Sequence, residues 1–492
     1  ANSTLSGNQA DGNGGGVHLP FTGAVTVTNS IVSGNTADGS GGGIANGGTV
    51  TMTNSTLSGN GADGHGGGIR NSGMVTITDS SGREIRTPAE IRRAKTLSIV
   101  YFLLAALTLY AFGFGSDGTA TFVVSRPDDA IKVGDIAVSA AGLAFVVAAI
   151  LAFLGARQWM RGFGSRTNLV LAIGLGLFAL SFLAWAADGA SFSLVGMFQE
   201  AIKRAVPITF GAISGVLCER TGIINIGIEG MLLGGAFTGA IVGSTLGAVA
   251  GMIGAALVGG VLAVVLAVLT VKYRVDQIIA GVVINIFVLG LTSFLTSQIL
   301  VENQQLNNSP IMTGLKLPVL GDLPFVGPVL FDQNIFVYGM YLVVAATTYG
   351  LFQTRWGLRT RAVGEKPRAA DTVGINVFSM KYWNVITAGL IAGFGGAYFT
   401  IGSVGRFDEN MTAGRGFIGL AAMIFGRWHP VGALSAALVF GFADSLQVKL
   451  GILETPIPSE FLAMAPYIVT IIVVAGLVGR SRPPSDYSAY VK

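Results

Sequence analysis

The stretch Gly222-Ile-Ile-Asn-Ile-Gly-Ile-Glu-Gly230 lies inside one of the most apolar regions of the chain, yet it carries an amide, a carboxylate and repeated glycines. Glycine loosens a lipid-buried helix, and Asn225 and Glu229 are expensive there unless they face protein or a watery path. The segment therefore reads as a helix broken within a membrane, lining a transport route.

The composition agrees. Mean hydropathy is +0.65, 51% of residues are hydrophobic and 11% are charged, a balance far from that of a soluble globular chain. A net charge of +4 would suggest nucleic acid in a soluble protein. Here the lysines and arginines cluster between apolar runs, as topology signals do, which argues against a nucleic-acid partner. The single cysteine, Cys218, has no internal disulfide partner and reads as a small core residue. No Gly-x-x-x-x-Gly-Lys-Ser/Thr phosphate loop is present, and His18, His65 and His429 are too scattered for a metal site. Neither a catalytic residue nor a bound cofactor is expected on this chain, and His429, before Pro430, reads as a turn cap.

Residues 1–80 form a different text. Asn2-Ser-Thr-Leu-Ser-Gly-Asn8 recurs as Asn29-Ser-Ile-Val-Ser-Gly-Asn35 and Asn54-Ser-Thr-Leu-Ser-Gly-Asn60, each followed by glycine runs and a Val/Thr/Ile alternation. Period-two alternation with Gly and Asn at the corners suits the stacked rungs of a parallel β-solenoid, and the segment resembles repeats of bacterial surface β-helix proteins. A glycine-rich unstructured tail is the rival reading. The sequence begins inside a repeat without methionine or signal peptide, and near Ser80 it turns abruptly basic (Arg83, Arg86, Arg92, Arg93, Lys95). That change reads as a fusion junction. The expected organisation is a repeat segment at 1–80, a basic cytoplasmic linker at 81–95, a membrane domain at 96–482 and a tail at 483–492.

Within the membrane domain, apolar runs start near Thr96, Ile136, Leu169, Ala205, Gly222, Ala248, Ile278, Ile335, Trp383, Gly416, Val431 and Phe461. Several fall short of the roughly 20 residues a full crossing needs, so half-helices are expected. Positive-inside counting places Arg157 to Arg166, Lys272 with Arg274, Arg355 to Arg368, and Arg480 with Arg482 inside, and the acidic loops Asp117 to Asp135 and Glu302 to Asp332 outside. The apolar spacing of Phe192, Leu194, Val195, Phe198 and Ile202 predicts a short interfacial helix on the outer side. The fold class is thus an all-α polytopic membrane protein, with about ten to twelve transmembrane or half-membrane helices, behind a β-solenoid-like segment.

Arg359-Thr-Arg-Ala-Val-Gly-Glu-Lys-Pro-Arg-Ala-Ala-Asp-Thr-Val-Gly-Ile-Asn376 resembles the cytoplasmic coupling segment of ABC importer permeases. Pro367 can open a short helix through Ala369-Ala370 and Gly374 can end it. Glu219-Arg-Thr-Gly-Ile-Ile-Asn-Ile-Gly-Ile-Glu-Gly-Met231 and Gly414-Arg-Gly-Phe-Ile-Gly-Leu-Ala-Ala-Met-Ile-Phe-Gly-Arg-Trp-His-Pro430 are similar to segments of permeases for nucleosides and simple sugars, relatives of the ribose and branched-chain amino-acid permeases. The resemblance covers roughly residues 83 to 482. It implies a multi-pass permease of the bacterial inner membrane and a second permease chain, the same or related. Separate ATPase subunits would use ATP, and a substrate-binding lipoprotein would sit outside. It also implies that Gly364, Glu365, Ala369, Ala370 and Gly374 belong to the coupling segment.

Candidates for the path are Asn225, Glu229, Asn285 and Phe417, since hydroxylated solutes want amides for hydrogen bonds and aromatic faces for stacking. Each has a structural alternative: Asn225 and Asn285 as ties between helices, Phe417 as packing, and Glu229 as the cap of a half-helix or the partner of Arg220, while Asp444 reads as another buried helix tie. Two other functions compete. An ion-coupled secondary transporter would want more intramembrane carboxylates than Glu229 and Asp444, and a membrane-anchored β-helix surface protein would want only one span.

Overall fold

The computed structural model describes residues 2–453 except 21–22, 72–73, 79–87 and 130, together with 458, 461 and 464. The run beginning near Phe461, the Arg480–Arg482 pair, Arg83, Arg86 and the tail at 483–492 lie outside the described residues, apart from Phe461 and Met464 themselves. The chain divides into two units, one of residues 1–112 with 144–181 and one of residues 113–143 with 182–492.

In the first unit the repeats stack as a solenoid. Thr4 pairs in parallel with Ile31, which pairs with Thr56, and the same three-rung stacking recurs in four separate sheets. Val27, Ile44, Val50 and Met52 fill the interior, the buried half of each alternating strand. The repeated asparagines have two local uses. Asn29 and Asn54 take the left-handed backbone at the corners, with φ of 49° and 46°. Asn8, Asn35 and Asn60 form a ladder, each side-chain Nδ2 donating to the next Oδ1 at 2.8 and 2.9 Å. Three apolar helices follow, α1 (Pro88–Leu107) and the greater parts of α2 (Ala140–Met160) and α3 (Thr167–Ala186). They meet at Tyr101, whose ring packs where only Gly155 and Gly174 leave room, and Ser98 Oγ donates to the Gly155 carbonyl at 2.6 Å.

The second unit holds α4 (Leu194–Glu219), α5 (Ile228–Leu246), α6 (Ala248–Ala267), α7 (Gln277–Leu295), α8 (Ile335–Gln353), α9 (Arg355–Glu365), α10 (Pro367–Thr372), α11 (Val377–Phe399), α12 (Arg415–Phe425) and α13 (Pro430–Ile452). Nine helices among the described residues are long and apolar enough to cross a membrane. The expected interfacial helix at 191–203 is instead a short strand, Ser191–Ser193, followed by the first half of α4, a continuous 26-residue helix with Pro207 inside it. Ser193 caps its start by accepting from Gly196 N, and burial along nearly its whole length outweighs the hydrogen bond that the proline removes. Glycines draw the neighbours together: a Cβ on Gly389 or Gly393 of α11 would strike the backbone of α6 at Gly259 or Ala255. Arg126 binds Asp332 at 2.6 Å, so the two acidic loops lie on one face, as the charge count requires.

Candidate solute path and coupling surface

The chain leaves α4 at Glu219, turns through Gly222 (φ 76°) and runs without helix to Gly227 before α5 begins. An opened backbone in an apolar setting needs partners. The amides of α7 supply them. Gln277 Oε1 accepts from Ile224 N at 2.6 Å, Asn285 Oδ1 accepts from Gly230 N at 2.7 Å, and Asn285 Nδ2 donates to Ile226 O at 2.9 Å. Between them Gly281 lets α7 approach closely, since a Cβ there would fall 2.8 Å from Gly227 N. Asn225 is fully buried; its Nδ2 faces Cys218 Sγ and Met231 Sδ at 3.6 Å each, and its Oδ1 has no hydrogen-bond partner among the described residues.

Glu229 does not pair with Arg220. Its carboxylate reaches across to the start of α12, where Oε1 accepts from Thr412 Oγ at 2.6 Å and Gly414 N at 2.8 Å, and Oε2 accepts from Gly416 N at 2.6 Å. A carboxylate on the orphan amides of a helix N-terminus is favoured by both hydrogen bonding and the helix dipole. Gly416 is required by the approach, because a Cβ would come within 2.6 Å of Glu229 N. The two breaks, before α5 and before α12, are therefore fastened to each other inside the second unit. Asp444 on α13 is more than a helix tie: one oxygen, Oδ2, binds Arg204 of α4 at 2.9 Å and Arg415 of α12 at 3.0 Å. Phe417 is half exposed on α12 and shares no hydrogen bond with this cluster.

At the end of α4, Arg220 Nη2 and Nε donate to the Trp428 carbonyl at 2.8 and 3.1 Å, and Trp428 Nε1 donates to Glu219 Oε2 at 2.5 Å. His429 Nδ1 accepts from Val431 N at 3.3 Å and its ring stacks on Phe352. Burial, with the Arg220 charge beside it, pushes the His429 imidazole below its ordinary range. The candidate coupling segment packs here. Gly364 is buried where a Cβ would strike the Arg220 carbonyl. Pro367 opens α10 at its first turn, and Gly374, at φ 81°, follows its end. Ala370 is buried with Val363 and Val377, whereas Glu365 and Ala369 are exposed. Gly364 and Ala370 thus support the segment from within, and Ala369 stands on its open face.

Sequence reasoning missed Gln277, Arg204 and Arg415, and it gave Arg220 the wrong partner. Gln277, Gly281 and Asn285 fall at i, i+4 and i+8, a polar and small stripe on one helix face that could have been found. The pairing of Arg204 with a carboxylate 240 residues away leaves no such mark.

The match to a known family covers residues 197–475, described as the branched-chain amino acid transport system permease component. It starts later than the residue 83 at which the resemblance was expected to begin, so α1, α2 and α3 precede it. The chain is 39% identical over 299 residues to the guanosine ABC transporter permease protein NupQ of Bacillus subtilis, and 40% identical over 299 residues to the nucleoside ABC transporter permease protein NupC of Lactococcus lactis. Each alignment spans 58% of this chain and 94% of the relative. A glucose ABC transporter permease protein, TsgB13 of Haloferax volcanii, is 28% identical over 270 residues, spanning 51% of this chain and 70% of that one. The matched region takes in both helix breaks and the α9–α10 segment, and the chain belongs to the branched-chain amino acid transport system permease component family, whose members are membrane-embedded transport components rather than enzymes.

Proposed function

We propose that this chain is the membrane-spanning subunit of an ABC importer that carries nucleosides, or sugars of related chemistry, inward across a bacterial plasma membrane. The observation that carries the reading is a continuous linkage. Gly364 rests on Arg220, Arg220 holds Trp428 at the end of α12, and the start of α12 is fastened by Glu229 to the start of α5. Movement imposed on α9 and α10 from the cytoplasm reaches both helix breaks through these contacts.

Asn225, Glu229, Asn285 and Phe417 are the candidate path residues. Asn285 and Glu229 act by holding the breaks in shape, while the buried Oδ1 of Asn225 is a side-chain acceptor there with no hydrogen-bond partner among the described residues. Of the coupling residues Gly364, Glu365, Ala369, Ala370 and Gly374, the exposed Ala369 and Glu365 face an ATPase subunit and the others shape the helix. ATP is hydrolysed by that partner, with no cofactor held here. A second permease, like or related, completes the pore, and a lipoprotein outside delivers the solute.

Solute class follows from the relatives, two of them nucleoside permeases at about 40% identity. The test is competition in cells expressing the full importer. Uptake of labelled guanosine should be displaced by unlabelled nucleosides and not by leucine. Displacement by leucine, or no guanosine uptake, would overturn the assignment.

A further inference from the structure

Asp444, Arg204 and Arg415 stand near the middle of the α4 and α13 spans, at the first residue of the half-helix α12. Two guanidiniums share one carboxylate oxygen at 2.9 and 3.0 Å, so the cluster keeps a net positive charge where charge is costly. Neither arginine is sealed: the side chains are 27% and 24% exposed, and that of Asp444 is 18% exposed. Exposed charge within a span belongs on a watery path rather than against lipid. One turn towards the outer face, Glu200 and Lys203 pair at 3.0 Å on the same helix, so a charged stripe runs down α4 to Arg204.

A guanidinium has five donors in a fixed fork. Each arginine spends one nitrogen on Asp444, and no other hydrogen bond from either is made among the described residues; the Nε of Arg204 has no partner there. Asp444 holds the two forks side by side and prevents them from repelling one another. Such a pair presents donors to adjacent oxygen acceptors on one small solute.

We propose that Arg204 and Arg415, set by Asp444, form a binding station for the vicinal hydroxyls of a sugar ring passing along the path. The proposal rests on the nucleoside or sugar reading above, because a hydroxylated ring is what those solutes have in common. Arg415 opens α12, whose N-terminal amides Glu229 clamps, so a solute bound by Arg415 is bound to the half-helix that the cytoplasmic linkage moves. Arg204 and Arg415 are specificity residues in this account, and Asp444 positions them.

The test uses the complete importer in proteoliposomes, with labelled guanosine and 2′,3′-dideoxyguanosine supplied in parallel. The wild type should prefer guanosine by about tenfold or more, the equivalent of roughly 1.4 kcal/mol. Arg204→Gln leaves Asp444 neutralised by Arg415 and should collapse that preference towards parity, mainly through a raised KM for guanosine. Should the Gln variant fail to assemble, Arg204→Lys, which keeps the charge but not the fork, is measured by the same ratio and should also lower it. An equal loss of both solutes, an unchanged ratio, or no preference in the wild type would overturn the station while leaving the importer reading intact. Uptake of neither solute by the wild type would overturn the nucleoside reading and the station with it.

Discussion

Glu229 concentrates the account at the scale of a residue. Its two carboxylate oxygens take three donors from the start of α12 at 2.6 to 2.8 Å. A glutamine keeps the shape but offers one acceptor oxygen and turns an amide towards a donor. Glu229→Gln should therefore loosen α12 by roughly 2 kcal/mol, visible as a lower melting temperature in detergent and slower uptake with the ATPase still bound. Unchanged melting would show that the clamp is weaker than its distances imply. His429 supplies a pH-dependent counterpart. Its imidazole is held below the ordinary range by burial and Arg220, so its contribution is fully present above the unfolded value of about 6.5 and is lost as pH falls through the lower folded value. Melting followed from pH 8 to 5 should decline below about 6.5, and His429→Phe should flatten part of that decline. Asn225 and Glu229 were legible in the sequence as polar residues amid apolar ones. The partners of Glu229 were not, because Thr412 and Gly416 are nearly two hundred residues distant and carry no charge that would advertise a contact.

Among the elements, α10 is a six-residue helix with two alanines that do opposite work. Ala370 is 3% exposed against Val363 and Val377, while its neighbour Ala369 faces out. A cysteine at Ala369 should crosslink to the ATPase subunit, and a cysteine at Ala370 should not, in membranes where both variants insert normally. Equal crosslinking from both, or none from either, would remove α10 from the contact. The Pro367, Ala369-Ala370 and Gly374 pattern made this helix readable, since each residue acts on its own backbone. The first half of α4 was misread for the opposite reason. Residues 191–203 have the apolar spacing of an interfacial helix. Only the surrounding helices, which bury nearly all of α4, show why the helix continues.

For the whole molecule, the repeats at 1–80 and the membrane helices draw on different stabilising contacts. Stacked asparagines and alternating strands hold the one, and close glycine contacts between α5, α6 and α11 hold the other. Both were legible, since the repeats recur at a fixed spacing and the spans are long continuous apolar runs, and neither signal needs knowledge of tertiary contacts. Removing residues 1–80 should leave insertion and uptake by the remaining chain unchanged, because the later helices carry their own basic topology signals. Loss of uptake in a well-inserted truncation would show that the rungs contribute to transport. The account turns, finally, on where the energy for transport originates. The direct measurement is labelled guanosine uptake into proteoliposomes holding this chain with its ATPase, second permease and binding lipoprotein, with ATP and ion gradients varied independently. Uptake should require ATP and a competent ATPase and ignore the gradients; uptake that persists without ATP and follows an ion gradient would contradict the account.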